Sequence, residues 1–371
     1  MTENQAYSKK DLLTALALDE ERFISSCLVI RDEHGRKRNL SFNPIQKQIY
    51  KVIQEKRKKK EPIRLIILKA RREGVSTFIQ SVMFCQWLKS FYEDRITHEV
   101  LLAHKQDSSN YLYDMVNVFY NNLPNDIRPE LRYSNQKKLT MFDAPSSIFV
   151  TTAEGKGVGV AGGFDLLHMS EFARYEEPED LMAGSMPTIP DDDPNSMVVL
   201  ESTAYGAGNM FHRMWEDAVA GKNKFTPLFF AWHDNPEYSV NTIEKLFVKT
   251  KEEVELCEDI KKRYGKELSV HQLNWRRQAI VTKCNGDEEL FKQDYPSFPE
   301  EAFLTSGRPV FHTPTLIEMQ KQAPLPKAIG HLTAYNKIPE FTHHAQGPLK
   351  IWEYPIKQDE YVIASDFAEC N

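Results

Sequence analysis

The chain has 371 residues and a mass of 43.0 kDa, so it can bury a large core and form two or more domains. Hydrophobic residues make up 41% of it and charged residues 27%, the balance of an ordinary globular protein without a membrane span. A net charge of −6 excludes a uniformly basic surface, and five scattered cysteines without a C-x-x-C pair favour reduced thiols in a cytosol and indicate no structural zinc.

The N-terminal region predicts two helices. Leucines at roughly helical spacing between residues 8 and 24 favour an amphipathic helix that packs on the core or on a neighbouring subunit. A second helix is predicted to start at Pro44, because Asn43 can cap it and proline fits a first helical turn. Gln46 in that turn can read an adenine edge, since its amide both donates and accepts hydrogen bonds, although a solvated glutamine is the more common case.

A basic loop follows the apolar, β-branched run at residues 65–68 and leads directly into an amphipathic pattern. Against the pattern G-x-x-x-x-G-K-[ST], it keeps Gly74 and the hydroxyl pair but has Val75 where the lysine belongs. Loop amides and a helix N-terminus favour an anion, and a plain basic turn is the alternative that this stretch alone leaves open. The candidate phosphate-binding residues are Lys69, Arg71, Arg72, Glu73, Gly74, Val75, Ser76 and Thr77.

Strand patterns alternate with helical patterns over the next part of the chain, which predicts an α/β fold with a mostly parallel sheet of about five strands. The predicted strands beyond the loop cover residues 99–104, 147–152, 164–169, 197–201 and 227–232. The glycine-rich segment 154–163 is either a long turn or a loop that moves beside a ligand.

Polar residues follow two of these strands where ligands gather in open parallel sheets. Glu171 is placed to polarise the water that attacks a γ-phosphate, and the alternative is a residue near a helix N-cap. The usual order there is Asp followed by Glu, but Ser170 takes the place of the aspartate, and Asp165 lies at the opposite end of its strand. The segment 202–204 either senses the γ-phosphate or forms a simple turn.

The order of these features resembles the large terminase subunit of tailed bacteriophages, the motor ATPase that packages DNA. The similarity extends over residues 42–311 and includes two less chemical stretches, residues 229–238 and 291–303. It implies an ASCE-type, RecA-like P-loop ATPase with a small helical lid. It also implies ATP and Mg²⁺ as cofactors, and double-stranded DNA, a portal protein and a small terminase subunit as partners. Such a protein would act in the host cytoplasm and at the procapsid portal vertex, as a homo-oligomeric ring on the portal.

The resemblance also implies residue roles. Arg71 would act in catalysis and stand in for the missing lysine, with Lys69 and Arg72 as alternatives. Glu171 would be the catalytic base, and Gln46 would read adenine. The remaining implied roles are the Mg²⁺ hydroxyl for Ser76, phosphate binding for the loop from Lys69 to Thr77, and the coupling motif for Ser202, Thr203 and Ala204. Val75 and Ser170 depart from the commonest pattern of the family.

The expected domain organisation has five parts: an N-terminal arm at 1–41, the ATPase core at 42–233, the lid at 234–311, a linker with little regular structure at 312–348, and the start of an RNase H-like nuclease domain at 349–371. In that last part, residues 349–354 and 360–364 are predicted to form a hairpin. Asp366 would be the first metal-binding carboxylate of the nuclease. Because a two-metal nuclease needs several such groups, we expect no DNA cleavage by this chain.

Two other functions fit the same sequence. A helicase-like or remodelling DNA translocase would share the ATPase core, although it would be expected to carry a second core. A docking module with a degenerate nucleotide site would bind partners without turning over ATP.

Overall fold

The computed structural model describes residues 19–32, 34–93, 95–135, 137–142, 144–154, 163–240 and 247–303. In the C-terminal part it describes residues 319, 324, 326–335, 338–344, 349–354 and 356. The chain divides into two compact units, Met1–Gly307 and Arg308–Asn371. None of the helices in these described ranges combines the length and the apolar character that a membrane crossing requires.

The first unit opens with helix α1 (Glu20–Cys27) and an antiparallel hairpin of β1 (Val29–Arg31) and β2 (Lys37–Asn39). The predicted N-terminal helix overlaps α1, and its part before residue 19 lies outside the described residues. Helix α2 (Pro44–Lys58) begins where the sequence predicts it. The Asn43 side chain accepts a hydrogen bond from the backbone N–H of Gln46, and the Gln46 side chain accepts one from the backbone N–H of Asn43.

An eight-stranded sheet forms the centre of this unit, in the spatial order β10-β3-β9-β8-β4-β7-β6-β5. The strands from β10 to β7 in that order are parallel, and β6 and β5 continue the sheet antiparallel. The bounds are β3 (Ile63–Lys69), β4 (His98–Ala103), β5 (Leu131–Asn135), β6 (Lys138–Met141), β7 (Ser147–Thr152), β8 (Leu166–Ser170), β9 (Met197–Ser202) and β10 (Thr226–Phe230).

The predicted α/β fold with a mostly parallel sheet is confirmed, and the sheet is wider than about five strands. The antiparallel strands β5 and β6 were missed because they are short and combine few apolar residues with many polar ones. Strand β9 lies between the strand that leads into the basic loop, β3, and the strand that leads to Glu171, β8.

The sheet has helices on both faces. Helices α3 (Val75–Tyr92) and α4 (Gln106–Asn121) pack with α2 on one face, and α5 (Pro178–Ser185) and α6 (Met210–Val219) pack on the other. Side chains alternate between the faces along each strand. On β3, Leu65 and Ile67 pack toward α3 while Ile66 and Leu68 pack toward α6.

A group of helices follows the sheet, as the charged, helical pattern of residues 240–293 predicts. The helices are α7 (Lys251–Tyr264), α8 (Val270–Lys283), α9 (Glu288–Asp294) and α10 (Pro299–Ala302). Helices α7, α8 and α9 share an aromatic core in which Trp275 stacks on Tyr238 and on Trp232, whereas Ala302 of α10 packs in the core beside α6. Trp232 lies two residues after the end of β10, so the aromatic core joins the helices to the edge of the sheet.

The second unit contains a three-stranded antiparallel sheet in the order β12-β11-β13. Its strands are β11 (Ala328–Tyr335), β12 (Ile338–His343) and β13 (Leu349–Ile351). The prediction of a linker with little regular structure at 312–348 is therefore wrong for residues 328–335 and 338–343. The prolines that suggested a linker are compatible with this sheet, because Pro339 lies in the edge strand β12.

Several predictions fall on residues outside the described ranges. They concern most of the glycine-rich segment, the strand at 360–364 and Asp366.

Candidate nucleotide site

A cavity of about 830 Å³ opens at the carboxyl ends of the central strands. It is bounded by the loop between β3 and α3, by the first turn of α2, by the β1–β2 hairpin and by the segment after β10. Glu171 at the end of β8 also lines it. The sequence predicts a ligand at this edge of the sheet, and the structure brings Gln46, Glu171 and most of the loop together there. Of the predicted loop residues, Lys69, Arg72, Glu73, Gly74, Val75, Ser76 and Thr77 line the cavity.

Strand alternation places three polar side chains on one face of the sheet. Lys69 is in phase with Leu65 and Ile67 on β3, and Ser170 and Glu201 occupy the equivalent phase on β8 and β9. All three therefore point toward α3, whose first turn carries Ser76. The alternation that builds the apolar core thus ends in a polar cluster at the cavity.

Lys69 lies between two carboxylates. Its Nζ is 3.0 Å from Oε1 of Glu171 and 3.1 Å from Oε2 of Glu201. Burial acts to lower the pKa of Lys69, but the charges of Glu171 and Glu201 outweigh it and raise the pKa above its usual value. The side chain is therefore a permanently charged ammonium at the base of the cavity.

Glu201 is the centre of this cluster and is 0% exposed. Its Oε1 accepts hydrogen bonds from Ser76 Oγ at 2.7 Å and Ser170 Oγ at 2.6 Å, and His168 Nε2 lies 3.4 Å away. Burial alone would raise the pKa of Glu201, but the Lys69 ammonium, His168 and the Ser170 hydroxyl hold it well below its usual range. Glu201 is thus an ionised, fully buried carboxylate.

The sequence predicts no role for Glu201, because the residue lies at the end of an apolar strand pattern. The available signal was a carboxylate in a run of buried residues, directly before the polar segment 202–204. A buried charge of this kind is costly unless it is paired, and its presence often marks a functional site.

Glu171 differs from Glu201 in both exposure and backbone conformation. Its side chain is 27% exposed, and it lines the main cavity and a smaller cavity beside it. Its φ of 57° lies in the left-handed region, which is uncommon for a glutamate and costs on the order of 1 kcal/mol. Arg174 Nε lies 3.8 Å from the second oxygen of Glu171. The carboxylate thus reaches solvent space from a strained position at the end of β8.

The first turn of α2 holds the backbone of the loop. Asn43 Nδ2 donates to the carbonyl of Glu73 at 3.0 Å, and Gln46 Nε2 donates to the carbonyl of Gly74 at 2.9 Å. Gly74 has a φ of 71°, and a Cβ there would lie 2.8 Å from Gln46 Nε2, so glycine is required. Both ends of the Gln46 amide are engaged in these contacts, so its role in reading adenine stays a prediction.

The N-terminus of α3 is open to an anion. Gly74 is its N-cap residue, and within the described ranges no side chain accepts a hydrogen bond from its first amides. Those amides carry the positive end of the helix dipole toward the cavity. Because Asn43 and Gln46 bind the loop carbonyls, the loop is held with its donors available for a phosphate.

The two arginines of the loop point in different directions. Arg71 Nε forms an ion pair with Asp294 Oδ1 at 2.9 Å, and the Arg71 amide donates to the Asp294 carbonyl at 2.9 Å. Tyr238 donates to the Arg71 carbonyl. Arg72 instead lines the cavity, and its φ of 57° turns the backbone at that point. Arg71 therefore connects the loop to α9, and its predicted role at the phosphate stays a prediction.

Glu73 is a second buried carboxylate of the loop. Burial raises the pKa of Glu73 to about 9, against smaller opposing effects from Asn235 and Lys69. It is therefore neutral at physiological pH and adds no negative charge to a site that we expect to bind an anion.

The predicted coupling segment contacts the backbone that follows Glu171. Ser202 Oγ accepts a hydrogen bond from the Ala173 amide at 3.2 Å. Thr203 is buried, and the Ala204 carbonyl accepts from Asn209 Nδ2 at 3.0 Å near the start of α6. The segment thus joins the end of β9 to the short 3₁₀ helix at Phe172–Arg174 and to α6.

The β1–β2 hairpin adds three arginines that were not predicted to lie at the site. Arg31, Arg36 and Arg38 line the cavity opposite the loop. Asp32 organises the turn between the strands, because its Oδ1 accepts from the amides of His34 and Arg36. The available signal was a turn marked by Asp32 and Gly35, followed by a run of three basic residues at 36–38.

The donor set fits a nucleotide and Mg²⁺. Hydroxyl and carboxylate oxygens of Ser76 and Glu201 are the hard ligands that Mg²⁺ prefers, and Lys69 and Arg72 supply cations for phosphates. The described residues contain no group of three or more acidic, histidine or cysteine side chains arranged to hold a metal alone. Mg²⁺ bound together with a nucleotide needs only one or two carboxylates, because phosphates and waters complete its shell.

Comparison with solved structures finds similarity to bacteriophage large terminases. The large terminase of bacteriophage HK97 shares 15% identity over 73% of this chain, with a TM-score of 0.49, and this chain spans 52% of its length. The ATPase domain of the Thermus phage P74-26 large terminase shares 13% identity, covering 64% of this chain and 87% of that domain, with a TM-score of 0.39. A point variant of that domain shares 12% identity over 69% of this chain and 93% of its own, also with a TM-score of 0.39. No protein-family model and no curated protein matches the chain.

Proposed function

We propose that the chain hydrolyses ATP at the carboxyl edge of its sheet and is the motor ATPase that packages viral DNA. The observation that carries the ATPase proposal is the convergence of Lys69, Ser76, Glu171 and Glu201 beside an open helix N-terminus. A cation, a metal hydroxyl and a partly exposed carboxylate beside a phosphate loop are the parts that phosphoryl transfer to water requires.

The phosphates bind at the amides of the first turn of α3, with Arg72 and Lys69 as counter-charges. Mg²⁺, held through Ser76, would neutralise charge on the β- and γ-phosphates. Glu171 orients a water in line with the γ-phosphorus and accepts its proton. As the water oxygen bonds to phosphorus, the bond to the β–γ bridging oxygen breaks, and ADP and phosphate leave.

Arrival of phosphates changes the partners of Lys69. In the structure this ammonium neutralises Glu171 and Glu201. A γ-phosphate competes for Lys69 and frees Glu171 to bind water. This exchange ties activation of the base to occupancy of the site, and it supports a cycle in which nucleotide binding precedes hydrolysis.

The contacts of Arg71 suggest how the site moves the helical group. Arg71 binds Asp294 through both its backbone and its side chain, and Trp232 Nε1 donates to Ser297 Oγ at 3.0 Å. A shift of the loop on nucleotide binding is therefore passed to α9 and its aromatic core. This supports the role of lid for residues 234–311, which would open and close with the cycle.

The DNA-packaging role comes from the resemblance in sequence to large terminases. On that basis the chain translocates double-stranded DNA into a procapsid, as a ring on the portal protein that the small terminase subunit brings to DNA.

The test is phosphate release by the full chain with and without linear duplex DNA. We expect the chain to hydrolyse ATP and duplex DNA to stimulate this hydrolysis. We also expect the chain to displace a triplex-forming strand from duplex DNA when ATP is present, as a translocase does. Absence of ATP binding and turnover would instead support a docking module. ATP-dependent separation of a partial duplex into single strands would support the helicase alternative.

A further inference from the structure

One element of the phosphate-transfer site is missing from the sequence pattern. In P-loop NTPases the Mg²⁺ is held by the loop Ser or Thr and by an aspartate before the catalytic glutamate. Ser170 occupies that position here, and its hydroxyl carries no charge. A carboxylate that helps to hold Mg²⁺ must therefore come from another residue of the chain.

The neighbouring strand supplies a carboxylate at the same level. Ser170 on β8 and Glu201 on β9 are register partners, and both side chains point toward α3. A carboxylate on β9 can thus occupy the space beside Ser170 that an aspartate on β8 would fill.

The hydrogen bonds of Glu201 connect it to the metal hydroxyl. Oε1 of Glu201 accepts from Ser76 Oγ at 2.7 Å and from Ser170 Oγ at 2.6 Å. If Glu201 served only as the counter-ion of Lys69, its other oxygen, Oε2, would be enough, because it lies 3.1 Å from Lys69 Nζ. The contact with Ser76 indicates a further role, because this residue is the one that the loop offers to Mg²⁺.

Glu171 is less suited to that role. Its side chain is partly exposed and faces two cavities, as expected of a base that accepts a proton from water. Glu201 is 0% exposed and held from several sides, as a group that positions a ligand should be. The two carboxylates therefore divide the work that adjacent Asp and Glu residues perform in the usual pattern.

We propose that Glu201 replaces the missing aspartate and, together with Ser76, forms the Mg²⁺ site for the bound nucleotide. This inference rests on the proposed ATPase function. Ser170 acts as a positioning residue that holds the carboxylate toward Ser76.

The test measures how strongly Mg²⁺ enhances nucleotide binding. A fluorescent ATP analogue, mant-ATP, is titrated into the full chain in EDTA and in excess Mg²⁺, and bound Mn²⁺ is followed by electron paramagnetic resonance. The variants are Glu201→Gln and Glu201→Asp, the latter of which keeps the charge beside Lys69 but shortens the reach to Ser76. Glu99→Gln is the matched control, because it makes the same substitution at another fully buried glutamate of the same sheet, at the opposite end of the strands.

We expect Mg²⁺ to enhance binding to the wild type and to Glu99→Gln. In Glu201→Gln the enhancement should fall by about 10- to 100-fold, while binding in EDTA remains and Mn²⁺ is no longer held. Placing the charge back on the neighbouring strand, in the double variant S170D/E201Q, should restore much of the enhancement.

Full retention of the Mg²⁺ enhancement in Glu201→Gln would overturn the inference and leave the proposed ATPase function standing. A wild type that binds no nucleotide would overturn both. Should Glu201→Gln fail to fold, Glu201→Asp decides the question. Its carboxylate no longer reaches Ser76, so we expect a weaker Mg²⁺ enhancement of binding, and full retention of the enhancement would contradict the assignment.

Discussion

Two fully buried glutamates on the same sheet have opposite protonation behaviour. Glu99 lies near the amino end of β4, and Glu201 lies near the carboxyl end of β9. Burial raises the pKa of Glu99 to about 8, against a smaller effect of its hydrogen bond from Gln80. At Glu201 the nearby Lys69 reverses the effect of burial and keeps the carboxylate ionised.

The difference extends to the charged groups at the two ends of the strands. At the amino ends, Arg64 donates to the Pro190 carbonyl at 2.8 Å, and Asp165 accepts from the His98 amide at 2.9 Å. These groups hold loops and strand ends in place. At the carboxyl ends, Lys69 and Glu201 bind other functional side chains within one cluster. The charges at the amino ends thus bind backbone groups as well as one another, whereas the contacts of Lys69 and Glu201 at the proposed site are with other polar side chains.

The largest expected difference between the two ends is in stability. Lys69→Met leaves the buried Glu201 without its cation, so we expect the free energy of unfolding to fall by about 3–5 kcal/mol. Arg95→Met removes a partly exposed ion pair with Asp165 and Asp193 at the amino ends, and it should cost at most about 1 kcal/mol. Urea unfolding of both variants measures this. Equal losses would contradict the distinction between the two ends.

Glu99 predicts a pH dependence of stability. Its folded pKa of about 8 lies above the unfolded value, so the folded state holds a proton that the unfolded state releases between about pH 4.5 and 8. Its contribution is therefore intact at low pH and is lost as the pH rises through this window. Between pH 5 and pH 8 the loss should be roughly 3 kcal/mol.

Glu99→Gln should remove that loss, since glutamine does not ionise. Urea unfolding of the wild type and the variant at pH 5 and pH 8 compares the two slopes. Parallel pH profiles would mean that Glu99 has the same pKa in the folded and the unfolded chain, and the contrast with Glu201 would disappear.

A smaller effect distinguishes the two arginines of the loop. Arg72→Ala should weaken mant-ATP binding by about tenfold, because Arg72 lines the cavity and can donate to a phosphate. Arg71→Ala should change affinity less, since Arg71 is 44% exposed and its guanidinium binds Asp294. The reverse order would return the phosphate-binding role to Arg71, as the resemblance to terminases implies.

Much of the architecture was predictable from the sequence, because the strands and helices around the loop have clear apolar periods. The position of Glu171 at the edge of the sheet followed from the apolar strand before it. Local patterns contain less information about side chains that are positioned by distant partners. Arg71 turns toward Asp294, and Glu201 meets Ser76 only because β9 lies between β3 and β8.

The C-terminal sheet illustrates a different limit. Prolines near residues 312–348 suggested a linker. Proline has no backbone N–H to donate, but the edge strand β12 tolerates Pro339 because one side of that strand pairs with no neighbour in the described sheet. Proline content alone therefore did not separate an extended tether from a small sheet.

The most direct test of the account is steady-state phosphate release by the full chain and by Glu171→Gln. We expect the variant to bind mant-ATP with Mg²⁺ as the wild type does, and to release phosphate about 10²- to 10⁴-fold more slowly. Glu176→Gln, an exposed neighbour in the same segment, is the matched control and should turn over normally. Equal phosphate release by the wild type and Glu171→Gln would contradict the assignment of the catalytic base and the ATPase mechanism built on it.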